Sequence, residues 1–452
     1  MWGLPTLIPW TAIDGQQSLE IWALNQLSEE SELVGLIGTP LGGPRGRFGV
    51  VGIPTRSTPL LPDGSNLPEA LSQSPNHLKV VGLGYDLGRS WARLSTRLAP
   101  RNQPSGLVFD LESALIVDHT LQRWMVAGTP GPTADRLLRA LSTPQRSAAP
   151  LRSCGHATLH PLVSDQIHGQ RIRQTHQHIA AGDIYQANIA RRLGVLGSID
   201  GIGAITDLSL LNPVAHGAYL RSAPFEVVSN TMETLMTLTP DTRTIASFPI
   251  KGTCKRSDHE TPTDTAPRQL LATPKERAEH IMIVDLVRND LGRICTPGSI
   301  KVPRLMGLEG YQGVWHGVST IEGTLAPNET LTSALHSLFP GGSITGAPKR
   351  RAIEIITDLE EEARGFYTGS IGLVAPNGYA SFSILIRTLL KDAEGWSLSV
   401  GGGIVADSTP EREIAETWEK VAVFQKIMRA EAQSQARSST GSNTDKSLLA
   451  AS

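Results

Sequence analysis

One lysine in this 452-residue chain sits where an amine could do chemistry. Lys251 lies in the run Pro249-Ile250-Lys251-Gly252-Thr253, with Phe248 just before it. A lysine amine attacks carbon only after losing its proton, and an ordinary pKa of about 10.4 leaves roughly one amine in a few thousand neutral at pH 7. Burial or a neighbouring cation must lower that value first. Apolar flanks bounded by Pro and Gly suit such a pocket, and they equally suit an exposed lysine at the end of a strand.

Carboxylates come next, and each needs a helix to carry it. Thr273 as a cap and Pro274 in the first turn predict a helix over Lys275 to Leu291, in which Met282, Leu286 and Asn289 follow Glu279 at helical spacing. A second helix begins near Pro410, with Ile414, Trp418, Val421 and Met428 as its apolar stripe and Glu413, Glu416 and Lys420 beside it. Glu279 reads either as a charge favoured near a helix start or as a ligand for a hard cation. Glu416 reads either as the partner of Lys420 one turn on or as a second such ligand.

Anion-binding chemistry is written in three further places. Pro340 to Lys349 is Gly-rich and runs into Pro348 at the expected start of a helix, where free N–H groups and the helix dipole favour an anion. It is not a P-loop, because Gly346 is followed by Ala347-Pro348-Lys349. Gly401-Gly402-Gly403 permits close backbone approach, Arg387 in the strand-like Ser381 to Leu390 can grip a carboxylate bidentately, and Tyr367 offers a hydroxyl. Each also has a plain structural reading: a tight turn, a surface arginine and a strand tyrosine.

Taken in order, Pro249 to Thr253, Glu279 to Arg293, Phe339 to Lys349 and Gly401 to Glu416 resemble the chorismate-utilising enzymes, strongly over about 165–430 and weakly over 80–120. Within that family a lysine in the first motif resembles the synthase component of aminodeoxychorismate synthase, whereas anthranilate synthases carry alanine there. The resemblance implies Mg2+ held by Glu279 and Glu416 and completed by a substrate carboxylate, consistent with the few protein carboxylates Mg2+ takes. It puts Tyr367, Arg387 and Gly401 to Gly403 on a carboxylate of chorismate, together with Gly252, Thr253, Ser343, Thr345, Gly346 and Lys420 as substrate-binding residues. It makes His316 a catalytic residue near the ring, although a lone strand histidine is more often a satisfied core residue. Glu233 falls where the family carries its general acid and base, but here Thr231-Met232-Glu233-Thr234 replaces the usual Ser-Pro-Glu-Arg. Gln186 stands where water-using relatives carry a lysine base, so water attack is disfavoured.

The implied reaction replaces the C4 hydroxyl of chorismate by an amine through a covalent Lys251 adduct, and leaves the pyruvyl group in place. No Gly-rich nucleophile elbow surrounds Cys154, Cys254 or Cys295, so ammonia is expected from a separate glutamine amidotransferase subunit. Anthranilate synthase component I and a non-catalytic chorismate- or glutaminase-binding paralogue are the rival readings. In the family, Leu111-Glu112-Ser113 lies near a tryptophan site.

The family fold implied is α+β, with two large, mostly antiparallel sheets packed face to face and helices outside. The divisions expected are an N-terminal region over 1–150, a chorismate-binding catalytic domain over 160–431 and a disordered tail over 432–452, the Pro/Ser-rich stretch 129–154 holding one short helix. Short strands should dominate the first 130 residues, with a helix over Asp165 to Ala181 and a strand alternating over Ile184 to Leu193. Composition agrees: 40% apolar and 19% charged residues suffice for a large core, and a net charge of −2 leaves no footprint for nucleic acid or an anionic membrane. Three cysteines without a C-x-x-C spacing suit a reducing compartment, and with no export signal or apolar run of membrane length in view the cytoplasm is expected.

Overall fold

Runs rich in Val, Ile, Leu and Thr between Gly, Pro and Ser form strands along the whole chain, including the short ones expected before residue 130. The computed structural model describes residues 8–9, 18–39, 45–94, 98, 101–142, 151–256, 261, 264, 273–311 and 314–429. Among these residues the strands build two antiparallel sheets. The first runs β1 (Ile8–Pro9), β8 (Arg123–Gly128), β7 (Ser113–Asp118), β3 (Phe48–Gly52), β2 (Glu32–Ile37), β11 (His216–Ser222), β12 (Phe225–Thr231), β21 (Thr388–Asp392), β22 (Gly395–Ile404), β10 (Gln186–Gly197) and β18 (Gly346–Ala347), with β9 (Ala157–Pro161) also on β10. The second runs β15 (Ile250–Lys255), β17 (Val314–Thr324), β14 (Thr244–Phe248), β13 (Thr234–Thr239), β20 (Ala380–Ile384), β19 (Ser370–Val374), β5 (Leu78–Leu83), β6 (Gly106–Leu111) and β4 (Arg56–Pro59), with β16 (Lys301–Tyr311) also on β17.

The pleat sorts side chains to two faces, and neighbours alternate accordingly. Val34, Val50, Leu220, Val227 and Leu390 of the first sheet meet Val80, Phe109, Ile371 and Leu373 of the second in one buried layer. Leu33, Val51, Tyr219, Val228 and Leu389 point the other way, under α1 (Leu19–Gln26), α4 (Pro132–Ser142), α6 (Gly201–Leu211) and α10 (Pro410–Ile427). The outer face of the second sheet is covered by α2 (Leu67–Ser72), α3 (Tyr85–Trp91), α7 (Pro274–Gly292) and α8 (Leu331–Leu338). Helices α5 (Asp165–Ala180) and α9 (Lys349–Glu360) pack on β10. The fold is the one expected: α+β, two antiparallel sheets face to face, helices outside.

Strands from before residue 150 complete both sheets, β2 pairing with β11 and β5 with β19, so the sheets run unbroken across the expected N-terminal division. Residues 143–150 at that division, and the tail 432–452, lie outside the described residues. Helices α5 and α7 match their expected spans, and α5 is capped by Ser164, whose Oγ accepts from the Ile167 N–H at 3.2 Å. The stripe on α10 is rotated from the expected one: Thr417, Val421, Phe424 and Ile427 are buried, while Ile414 and Trp418 are half-buried. The strand expected from alternation over Ile184 to Leu193 begins at Gln186, and its first six residues are all buried because layers cover both of its faces.

Four passages among the described residues carry the chain from one sheet to the other in one to three residues: Ile53 to Thr55 between β3 and β4, Glu112 between β6 and β7, Met232-Glu233 between β12 and β13, and Leu385 to Arg387 between β20 and β21. The last two lie side by side. The Asn230 N–H donates to the Arg387 carbonyl at 3.1 Å and the Ile384 N–H to the Glu233 carbonyl at 3.0 Å. Ser229 and Thr388 join their hydroxyls at 2.8 Å in the same seam. No helix among the described residues is long and apolar enough to cross a membrane.

Candidate active site

A cavity of about 640 Å³ opens at this seam, within the range of small-molecule sites. It is lined by Glu233, Lys251, Gly252, Glu279, His316, Ser343, Tyr367, Arg387, Gly401, Gly402, Gly403, Glu416 and Lys420, so most of the residues singled out in the sequence converge there.

Lys251 stands in β15 at the floor, next to α7, and its Nζ lies 2.9 Å from Glu279 Oε2. The amine of the sequence reading thus lies against one of the two candidate metal ligands. Glu233, at the passage between β12 and β13, is buried and accepts a hydrogen bond from Ser343 Oγ at 2.5 Å. Burial pushes its carboxyl up to about 7, against the opposing pull of the Ser343 hydroxyl and the Lys251 charge. A carboxylic acid half-protonated near neutrality can give or take a proton at the operating pH. His316 is buried in β17, where its backbone pairs with Thr253, and burial pulls its imidazole down to about 4. It is neutral at physiological pH.

Arg387 is not in a strand, contrary to the reading of Ser381 to Leu390. It occupies the turn between β20 and β21 with φ of 51°, a left-handed conformation uncommon outside glycine. The pattern looked continuous because both flanking segments are strands, but they belong to different sheets. Tyr367 precedes β19 in a turn, not in a strand; it is buried, and burial raises its phenol so that it remains a neutral donor. Beneath it, the Arg364 guanidinium donates to Glu360 Oε1 and Oε2, Asn188 O and Ile344 O at 2.6 to 3.1 Å, tying four segments of the site together.

Gly401 to Gly403 lie inside β22 and not in a tight turn, opposite Ala190, Ile189 and Asn188 of β10. Pairing with β21 stops at Leu398, so among the described residues the other edge of this glycine run has no strand beside it, and the run lines the cavity. A Cβ on Gly401 would sit 2.4 Å from Ile189 O, whereas one on Gly402 would meet Glu413 Oε2 at 2.9 Å and Lys420 Nζ at 3.5 Å. Glycine here makes room for the acidic wall.

That wall is larger than the sequence reading gave. Glu276 lies one turn before Glu279 on α7, and Glu413 and Glu419 flank Glu416 on α10; all five line the cavity. Their i, i+3 spacing in the sequence was the signal that these helices present acidic faces. Lys420 bridges Glu416 at 2.7 Å and donates to Gly401 O at 2.8 Å, so the helical ion pair and the cavity position are both realised. The Glu413 carboxyl is raised by burial and by the Glu416 charge. Among the described residues no three of these carboxylates come close enough together to hold a metal ion as they stand, and the two expected ligands are each paired with a lysine, Glu279 with Lys251 and Glu416 with Lys420.

Some expectations fall elsewhere. Thr345 is fully buried and donates its hydroxyl to Gly341 O at 2.9 Å, and it does not line the cavity. Gly346 pairs with Ala187 in β18, and a Cβ there would lie 2.1 Å from Gln186 O, so its role is close strand contact. Pro348 is the cap of α9 instead of its first residue, and Lys349, which does not line the cavity, donates to Asp290 Oδ2 at 2.6 Å. The side chain of Thr253 lies outside the described residues. Sequence reasoning missed Asn188. Its Oδ1 and Gln186 Oε1 are buried in the cavity wall with no hydrogen-bond partner, two acceptors left for a ligand.

The sequence profile described as chorismate binding enzyme matches residues 62–426. The chain belongs to this family. This chorismate-binding enzyme is 39% identical over 355 residues to aminodeoxychorismate synthase component 1 of Klebsiella aerogenes, covering 76% of this chain and 77% of that one. It is 40% identical over 264 residues to anthranilate synthase component 1 1 of Haloarcula marismortui, spanning 58% of this chain and about half, 54%, of the relative. The crystal structure of anthranilate synthase component I from Streptococcus pneumoniae has the same fold, with a TM-score of 0.72 at 24% identity, covering 85% of this chain and 92% of that one. The relatives of this chorismate-binding enzyme therefore carry two different activities, and its own residues must distinguish them.

Proposed function

We propose that this chain is component I of aminodeoxychorismate synthase, replacing the C4 hydroxyl of chorismate by nitrogen to give 4-amino-4-deoxychorismate. The observation that carries the proposal is the presence of Lys251 in one cavity with Glu233, a buried acid poised near pH 7. Arg387, the Tyr367 hydroxyl and the open edge of Gly401 to Gly403 supply donors for the carboxylates of a dianion. Glu279 and Glu416 would hold Mg2+, which when bound supplies positive charge for a substrate carboxylate.

Lys251, once released from Glu279 and deprotonated, adds through its Nζ to C2 of the ring. Both ring double bonds shift toward C4, the C4–O bond breaks, and Glu233 gives its proton so that water leaves. Ammonia then forms the C4–N bond, both double bonds return, Lys251 departs as the free amine, and Glu233 takes the extra proton from the new C4 nitrogen. Gln186 and Asn188 offer acceptors for the N–H groups of ammonia, and at Gln186 there is no lysine to activate water in its place. The nitrogen comes from a separate glutaminase chain. In support, burial pushes the Cys154 and Cys295 thiols up to about 12 and about 11, which leaves poor nucleophiles. Three free thiols also suit the cytoplasm.

Intact-mass spectrometry and product chromatography on wild type and Lys251→Ala, with chorismate, Mg2+ and ammonium, test this. The expected result is aminodeoxychorismate from wild type, near-complete loss in the variant, and a chorismate-derived adduct on the wild-type chain when ammonium is withheld. Anthranilate and pyruvate, formed equally by both proteins, would instead make the chain an anthranilate synthase component.

A further inference from the structure

Tyr367 and Ser399 have the active-site cavity on one side and a second, smaller cavity of about 20 Å³ on the other. The small cavity is lined by Arg101, Arg171, Arg191, Arg192 and Arg364, against only two carboxylates, Glu360 and Glu362. Three of the guanidiniums are balanced. Arg364 holds Glu360 at 2.6 Å, Arg191 is paired with Asp165, and Arg192 lies 3.3 Å from Glu362 and 3.5 Å from Glu394. Arg171 is buried, yet it donates only to backbone carbonyls, Glu360 O at 2.7 Å and Ala190 O at 3.5 Å. Arg101 likewise reaches only Arg364 O, at 3.3 Å. Among the described residues neither Arg101 nor Arg171 makes an ion pair, although Asp392, Glu362 and Asp86 lie near enough to act on Arg101 through space.

The donors tell the same story. Arg101 Nη2 and Arg191 Nε are buried with no acceptor, and Arg192 Nε faces Glu362 without completing a hydrogen bond. A buried N–H of a charged group left without an acceptor is costly, and here several converge on the same space. Burial pulls the Arg101 guanidinium below its ordinary value and the neighbouring charge of Arg192 adds to the effect, against the opposing pull of Asp392, Glu362 and Asp86. The volume exceeds the ~10 to 15 Å³ that one water needs, but a tetrahedral oxyanion would not fit.

We propose that this cavity binds one small monovalent anion, a halide or the head of a short carboxylate, between Arg101 and Arg171. Such an ion neutralises the two unpaired guanidiniums and accepts from the orphan donors, which a water, bringing no charge, satisfies only in part. The site is distinct from the substrate cavity and shares with it only the wall formed by Tyr367 and Ser399.

The test uses bromide as a probe in crystals and matched salts in solution. Wild type and Arg101→Met are soaked in sodium bromide, and thermal unfolding of each is followed in chloride, formate and gluconate at equal ionic strength, gluconate being too large for the cavity. The expected result is an anomalous bromide peak within reach of Arg101 and Arg171, and a saturable rise in Tm of wild type over gluconate that Arg101→Met loses. A rise with chloride alone assigns a halide; a rise with formate alone assigns a carboxylate. Arg101 is only half-buried, so this variant should fold, and Arg171→Lys serves as the second variant. No bromide at the cavity and equal Tm in all three salts would overturn the proposal, as would an Arg101→Met protein that keeps the full increment.

Discussion

Replacing Glu233 by glutamine should stabilise the protein at alkaline pH while disabling it. Burial is the dominant influence on this carboxyl and moves it from 4.5 to about 7. At 1.36 kcal/mol per unit, that shift means ionisation inside the fold is harder than in the unfolded chain by ~3 kcal/mol. Below pH 4.5 both states hold the proton and the group has no net effect. Between 4.5 and about 7 the unfolded chain releases it and the folded one keeps it, so stability falls by about 1.4 kcal/mol per pH unit. Above about 7 the loss is complete. Glutamine is isosteric, can still accept from Ser343, and does not titrate. Denaturant unfolding of wild type and Glu233→Gln at pH 5 and pH 8.5 should show the stability difference moving in the variant's favour by ~2 to 3 kcal/mol between the two pH values. Activity should fall by about 10² to 10⁴, the usual worth of a general acid. A difference that stays flat across this pH range would refute the perturbed carboxyl, and with it the argument that Glu233 is poised to act.

The glycine run should divide by position: Gly401→Ala places its Cβ 2.4 Å from a backbone oxygen and should lose about 1 to 3 kcal/mol of stability in urea unfolding. Gly402→Ala meets only side-chain ends, so it should unfold within about 0.5 kcal/mol of wild type and show its effect as a raised KM for chorismate. Arg364→Met leaves Glu360 buried without its partner and should lose about 3 to 5 kcal/mol; a loss under 1 would show that the guanidinium is not what holds those segments. Glu416→Gln should raise the Mg2+ concentration for half-maximal activity by more than about tenfold, and an unchanged Mg2+ titration would remove that glutamate from the donor set.

Legibility in the sequence followed the range of the interactions. Helix α7 was readable because its cap, its first-turn proline and its 3.6-residue spacing are all local, and Glu279 came with it. Lys251, Glu233 and His316 were reached through motif resemblance, because strand pairing and not local pattern brings them together: Thr234 opposite Phe248 sets Glu233 beside the segment of Lys251. Arg387 was misplaced in a strand for the same reason: Ser381 to Leu390 has a uniform apolar pattern, and nothing local says that its halves join different sheets. Gly401 to Gly403 looked like a turn because glycine usually is one, whereas here the crowding comes from Ile189 across the ladder and from the acidic helix above. The hydroxyl of Thr345 is taken by Gly341, a contact invisible until the loop is folded.

The seam between the sheets has a dynamic consequence. Glu233 and Arg387 ride on adjacent strands of chain that pass from one sheet to the other, held together by backbone hydrogen bonds from Ile384 to Glu233 and from Asn230 to Arg387. A ligand gripping both residues therefore acts as a rivet through the two layers, and breathing of one sheet against the other becomes breathing of the reactive centre. Amide hydrogen exchange at Asn230 and Ile384 should slow together on chorismate binding. A cavity cut into the interlayer packing at Phe109, remote in sequence from every reacting group, should loosen the rivet and register in turnover as well as in stability.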